Sequence, residues 1–374
     1  MNAAKPLVWI TVAWVGALVA GQAPAVGGDP KTEELRKEVA ARGWVVFAAH
    51  PAEVSGGKLI QDSRQRGQTD LYLCRPDGSA LRDITNTAAF SEYGGRFSPD
   101  GKKLLYRRVP AGKEISHDQW GMFGELVIAN ADGSNPVVQG KEGELPWASW
   151  SPDGKQIACL HKRDGLIRIH DLEARKAVQE MPSQGIYQQP FWSPDGRKLV
   201  GTANLAGQQW NIVCMDLETQ KLTLLSRALN CTPDWFQRDS NRVIYSNRTP
   251  GLTSRLGRQA DQYGFTILMQ ATADGKSRTL VYGRLWKHVY FGCTSPDDKH
   301  VIFADDPNDG LIVGEMHLVR LADTPIVAPK PEFPELQERY PDAKEGPVLD
   351  LKLPNGTPLR GFEPHWTFAE IEGK

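Results

Sequence analysis

The sequence predicts an all-β fold, a six-bladed β-propeller of four-stranded blades, and three observations predict it. An aromatic, Ser-Pro-Asp-Gly, apolar unit recurs along the chain: FSPDGKKLLY from Phe97, WSPDGKQIACL from Trp150 and WSPDGRKLVG from Trp192, with weaker copies FQRDSNRVIY from Phe236 and TSPDDKHVIF from Thr294. Their separations of 53, 42, 44 and 58 residues are close to the roughly 40 to 50 residues that a four-stranded blade takes. Composition agrees, because 36 Gly, 26 Pro and 11 Trp in 374 residues supply tight turns and large core-filling aromatics rather than helix formers.

The chain opens with a processing segment. Lys5 precedes an apolar run from Leu7 to Ala20, and Ala23-Pro24-Ala25 offers small residues at cleavage offsets, so residues 1–25 read as a signal peptide. The run is shorter than the roughly 20 residues a membrane-crossing helix needs. Export to the periplasm or the exterior follows, with no membrane insertion after cleavage. Residues 26–42 form a leader in which KTEELRKEVAAR from Lys31 favours a short surface helix, with Leu35 and Val39 at helical spacing.

The propeller is expected over residues 43–374. Each repeat is a hairpin: Pro sets the first corner, Asp bonds the backbone ahead and Gly takes the positive φ. A third strand and a second turn follow, as in LYLCRPDGS, LVIANADGS, IRIHDLEARK, NIVCMDLETQK and ILMQATADGK, and then a short fourth strand such as LTLLS from Leu222. The blades are placed at about 43–85, 91–140, 145–182, 187–227, 232–282 and 288–328. The first has outer strands and WVVFAAHP from Trp44 but no inner strand. The C-terminal segment 362–369, which contains EPHWTF, is expected to supply it and close the ring. Residues 328–360 read as a Pro-rich strap carrying a hairpin candidate, LDLKLPNGTPL, with its turn at Asn355-Gly356.

These SPDG units resemble the TolB-type propeller family, whose repeat is an aromatic-SPDG-apolar unit followed by a strand and an Asp-Gly turn. The resemblance covers about Gly43 to Ala328. It implies the fold; the same repeat serves scaffolds, lyases and the propeller halves of peptidases.

With 44 basic against 45 acidic side chains the formal charge is -1, so no global field recruits nucleic acid or an anionic surface. Five cysteines cannot pair fully, and Cys74, Cys159 and Cys214 sit in apolar strand patterns, so buried free thiols are expected. The chain has no G-x-S-x-G elbow, H-E-x-x-H, P-loop or G-x-G-x-x-G. A non-enzymatic module follows, without cofactor or catalytic residues and most simply a monomer, that binds an envelope protein or glycan.

Three segments exceed what a hairpin needs, Pro51 to Thr69, Pro110 to Gly124 and Asn247 to Gly264, and function gathers on such loops. They contribute Arg64, Arg66, His117, Asp118, Trp120, Arg255, Arg258 and Tyr263, to which the inner strands add Asp234, Trp235, Tyr290 and His365. Arg beside aromatics suits carboxylate, phosphate or sugar recognition. The aromatics Phe97, Trp150 and Trp192 repeat with the fold and read as core. The alternative is a metal-assisted lyase or hydrolase acting on an acidic sugar, through His50, His117, His288 and His365. Oligogalacturonate lyases are similar propellers with closely spaced metal-binding histidines, and no H-x-H pair occurs here. No metal site is expected; Asp305 to Gly310 fails calcium-loop spacing, with Pro307 third and Met316 twelfth.

Overall fold

The computed structural model describes residues 29–56, 68–113, 121–205, 207–227, 229–248, 266–284, 287–306, 314–321, 326–327 and 344–372. The segment expected as a signal peptide lies outside them. Asp29 caps the helix Pro30–Val39 by accepting from the Lys31 N–H, with Pro30 at the first position. Leu35 and Val39 are fully buried against Val45, Phe47, Cys74, Ile302 and Leu318. The helix is therefore docked, and Glu38 fastens it to Arg320 and, at 3.0 Å, to His300.

Apart from a second short helix, Pro51–Gly56, and a parallel pair of two-residue strands, Ile326–Val327 with Lys344–Glu345, the strands of the described residues form mainly antiparallel sheet in sets of four. Phe90–Phe97, Lys103–Pro110, Glu125–Asn130 and Val137–Gln139 form one sheet. Ser149–Trp150, Gln156–His161, Leu166–Asp171 and Lys176–Pro182 form the next, and Ile186–Trp192, Lys198–Leu205, Gln208–Asp216 and Leu222–Ser226 the one after. Asn230–Trp235, Arg242–Arg248, Thr266–Thr272 and Arg278–Tyr282 make a further set inside a larger joined sheet. That sheet continues through His288–Thr294, His300–Asp306 and Gly314–Arg320. Its last set is Arg360–Thr367, Trp44–Ala49, Asp70–Cys74 and Arg82–Asp83.

The C-terminal strand lies antiparallel to Trp44–Ala49, with Val45 opposite Trp366 and Val46 opposite His365. Trp366 is fully buried there, and its indole N–H donates to the Arg42 carbonyl at 2.7 Å. One strand differs from the sequence reading. The set expected over 288–328 takes its fourth strand from Val348–Asp350, which pairs with Gly314–Arg320. Leu349 and Leu351, both buried, give that segment the apolar face an outer strand requires. The turn after it is the expected one, with the Asn355 side chain accepting from the Thr357 N–H at 3.1 Å.

The repeated turns form as their residues dictate. Ser98, Ser151, Ser193 and Ser295 donate to Asp100, Asp153, Asp195 and Asp297 at 2.5 to 2.7 Å, and each serine oxygen accepts from a backbone N–H at the start of the following strand. The copy read from Phe236 starts one residue earlier. Trp235 pairs with Val243 as Phe97 pairs with Leu104, because this turn, without Pro or Gly, takes one residue more.

A second repeat is invisible in residue types. Gly94, Trp147, Gln189, Thr232, Phe291 and Glu363 all adopt left-handed φ, between 48° and 67°. Each lies three residues before Phe97, Trp150, Trp192, Trp235, Thr294 or Trp366. Around five of them, all but Trp147, the ladder register shifts, which is a β-bulge. The bulge bends each inner strand and re-aims the residues after it.

Candidate functional site at the turn end of the inner strands

A cavity of about 520 Å³ lies where the bulged strands end, among the Ser-Pro-Asp turns. Arg96, Ser149, Phe191, Asp234 and His365 line it, each the residue just before the repeat aromatic. Trp150, Trp192 and Trp235 line it too, with Phe368 and Arg238. The expectation that the repeat aromatics are all core holds for Phe97, which is 3% exposed. Trp150 and Trp192 are only half-buried and face this cavity, because the strand ends just beyond them and nothing covers their outer edges.

Polar groups fix the lining. The Arg96 guanidinium pairs with Asp234 at 2.5 Å and lies 4.0 Å over the Phe191 ring. Trp150 donates to the Arg96 carbonyl and Trp235 to the Phe191 carbonyl, at 3.1 and 2.9 Å. His365 accepts from the Phe97 N–H at 3.2 Å through Nδ1. Burial and the Arg96 charge hold its imidazole well below the usual histidine range, so it is neutral at physiological pH and serves as an acceptor.

Behind Arg96 and Phe191, which line both spaces, lies an inner chamber of about 50 Å³. Tyr93, Arg107, Trp147 and Glu363 surround it.

Of the sequence-predicted residues, Asp234, Trp235 and His365 come together at the outer cavity. This is the turn end of the strands, whereas they were expected on the long-loop face. The direction follows from the bulges, which turn the late inner-strand residues toward the turns. Tyr290 stands apart: it is 8% exposed, accepts from Arg248 at 3.2 Å and stacks near the fully buried His288. Arg64, Arg66, His117, Asp118, Trp120, Arg255, Arg258 and Tyr263 lie outside the described residues. Arg96, Phe191 and Trp192 were missed, and the readable signal was their fixed offset from each Ser-Pro-Asp turn.

Of the histidines weighed for metal binding, His117 lies outside the described residues and the others are committed elsewhere, His365 as described above. The His50 ring accepts from the Ala52 N–H, and His288 faces Thr266. Another group does bring metal-binding side chains together: atoms of Asp305, Glu315 and His317 lie within 4.8 Å of one another. Lys287 already sits 3.1 Å from Asp305, Arg360 3.0 Å from Glu315, and His317 bridges Asp305 and Asp350 at 3.1 and 2.9 Å. Burial alone would lower the His317 pKa, but Asp305 and Asp350 lift it to about 9. Burial would likewise raise Asp305, and His317 and Lys287 hold it below the usual range. Three carboxylates thus meet three cationic groups, and the cluster is neutral as it stands.

A second carboxylate group sits where Asp70–Cys74 packs on Phe90–Phe97. Asp70 and Glu92 are 2% and 1% exposed. Thr87 donates to both, through its N–H to Asp70 and its hydroxyl to Glu92. Burial, with Asp83 nearby, pushes Asp70 up to about 6, and burial, partly opposed by Thr87, pushes Glu92 up to about 7. All five cysteines are free and buried. Burial pushes Cys159, Cys214 and Cys293 up to about 12, which leaves these thiols unreactive.

No family model matches the chain. Part of it is similar to a TolB homologue of Chlorobium chlorochromatii, 25% identical over 157 residues, 41% of this chain and 33% of that one. It is also similar to the Tol-Pal system protein TolB of Alcanivorax borkumensis, 26% identical over 178 residues, 44% of this chain and 39% of that one. The matched part thus spans between a third and two-fifths of these relatives. The crystal structure of TolB from Acinetobacter baumannii has the same fold, with a TM-score of 0.54 at 15% identity, over 87% of this chain and 67% of that one. In repeat, in relatives and in fold, the chain resembles the TolB-type β-propellers.

Proposed function

We propose that this chain is an extracytoplasmic six-bladed propeller, closed by its C-terminal strand, that binds an envelope protein in the cavity at the turn end of its axis. Closure is supported by the Arg96–Asp234 pair. The two side chains belong to inner strands three blades apart, and only strands that face each other across an axis can meet so closely. The six left-handed positions support the blade number. The observation that carries the binding reading is the outer cavity itself, where half-buried tryptophans surround one ion pair and a neutral histidine. Aromatic walls around a few fixed polar groups are what a protein anchor docks into. The name Tol-Pal system protein, borne by the Alcanivorax relative, favours an envelope protein over a glycan and a periplasmic location. No described helix is long and apolar enough to cross a membrane.

Site-specific photo-crosslinking in intact envelopes tests this. A photoreactive residue replacing Pro152 or Trp192 is expected to give a discrete protein adduct that Trp235→Ala removes, whereas one replacing Lys176 on an outer strand gives none. Equal labelling from all three positions would overturn the reading.

A further inference from the structure

The inner chamber carries more than its size suggests. Arg107 is 5% exposed; its Nη2 donates to the Leu145 carbonyl, while its Nη1 is buried and has no hydrogen-bond partner among the described residues. The indole N–H of Trp147, 7% exposed, is likewise buried and without a partner among the described residues. Leaving one such donor unmet costs roughly 1 to 3 kcal/mol, more when it is charged, so two at one chamber call for an acceptor. Both donors are held in place. Trp147 sits at φ 49°, a strained setting for a bulky residue. Its backbone N–H donates to the Gly121 carbonyl at 2.7 Å, and a Cβ on Gly121 would come within 2.5 Å of the indole.

We propose that the inner chamber is a carboxylate receptor, in which Arg107 and Trp147 grip an acidic side chain or chain terminus of the protein segment that fills the outer cavity. The inference rests on the binding reading above and specifies its chemistry. A volume of about 50 Å³ admits a few waters or one carboxylate, given that a single water needs roughly 10 to 15 Å³ measured this way. A guanidinium and an indole N–H supply the directed donors a carboxylate takes. Arg96 stands at the junction of the two spaces, already paired with Asp234, so an entering acid meets a cation before it reaches Arg107. Glu363 lines the chamber from the neighbouring C-terminal strand, close enough for its charge to act on Arg107, so an entering carboxylate must be held by directed hydrogen bonds as well as by charge.

The test is a titration with sodium acetate and with acetamide, followed by the indole N–H resonances in nitrogen-correlated NMR, with Trp147→Phe assigning the Trp147 signal. Acetate is expected to move that signal saturably and acetamide to leave it in place. Arg107→Met abolishes the shift. Should that variant not fold, Arg107→Lys replaces it and is expected to weaken acetate at least ten-fold, because the fork is lost while the charge stays. No acetate shift, or an equal shift with acetamide, means that buried water alone serves these donors and overturns the proposal. The crosslinking result separates the two readings. An adduct from Trp192 that survives Trp147→Phe, without any acetate response, leaves the binding site standing and removes only the carboxylate receptor.

Discussion

Two clusters, each built on buried carboxylates, lie at the two borders of the strand set that pairs Trp44–Ala49 with Arg360–Thr367, and their chemistry is opposite. On one side Asp305, Glu315 and Asp350 meet Lys287, Arg360 and His317. On the other, Asp70 and Glu92 share a hydrogen bond with each other and among the described residues otherwise meet hydroxyls and backbone N–H groups, with Arg108 acting weakly on Glu92. Burial is similar, since Asp305, Asp70 and Glu92 are all at most 2% exposed. Countercharge rather than burial therefore decides which carboxyl stays ionised. The first group behaves as a network of fixed charges and the second as a pair that holds its protons to higher pH than free carboxyls do.

The sharpest way to break this contrast is to remove one member from each. Asp305→Asn leaves Lys287 and His317 without their buried countercharge and is expected to cost about 3 to 5 kcal/mol of unfolding free energy in urea at neutral pH. Glu92→Gln, which only replaces a group already near neutrality, is expected to cost less than about 1 kcal/mol at pH 6. Similar losses from both would erase the distinction.

Next in size is a pH effect. The folded Glu92 pKa of about 7 lies above its unfolded value of 4.5, and Asp70 is shifted the same way. The native state thus keeps protons that the unfolded chain has released. Stability contributed here is complete below the unfolded values and is lost as pH rises through about 7, at roughly 1.4 kcal/mol per pH unit for each proton. Denaturation midpoints followed from pH 4.5 to 8 are expected to decline, and Glu92→Gln to flatten the decline.

His317 gives a smaller effect at higher pH. Its folded pKa of about 9 lies above the usual 6.5, so its contribution is fully present below pH 6.5 and fades as pH climbs through 9. A histidine proton resonance titrating near 9, absent in His317→Gln, checks this; titration near 6 would refute the network. The smallest expected effect is that of metal. Because Lys287 and the imidazolium already hold the positions a divalent ion would need, manganese and EDTA are each expected to move Tm by less than about 1 °C. Stoichiometric binding abolished by Asp305→Asn would show the cluster to be a metal centre instead.

Much of the fold is legible along the chain, since Pro, Asp and Gly at a turn act through their own backbone. Ser98, Ser151, Ser193 and Ser295 make the same local bonds wherever they occur, and Asn355-Gly356 turns as its residues require. The candidate site was only partly legible. Asp234, Trp235 and His365 could be picked out by type and place, but not the end of the strand they face. Trp150 looked like core because it repeats, and repetition alone does not say whether anything covers an edge.

By itself the sequence determined the hairpins, the strand order apart from the outer strand Val348–Asp350, and the meeting of the C-terminal strand with Trp44–Ala49, because these follow from turn chemistry and alternating apolar faces. Only the tertiary structure decided where function can sit. The left-handed residues at Gly94, Trp147, Gln189, Thr232, Phe291 and Glu363 have no common side chain. Their shared φ goes with a register shift around all but Trp147, a feature of the paired backbone that no side chain announces. The bulged strands aim Arg96 at Asp234, 138 residues away, a contact that no local spacing encodes.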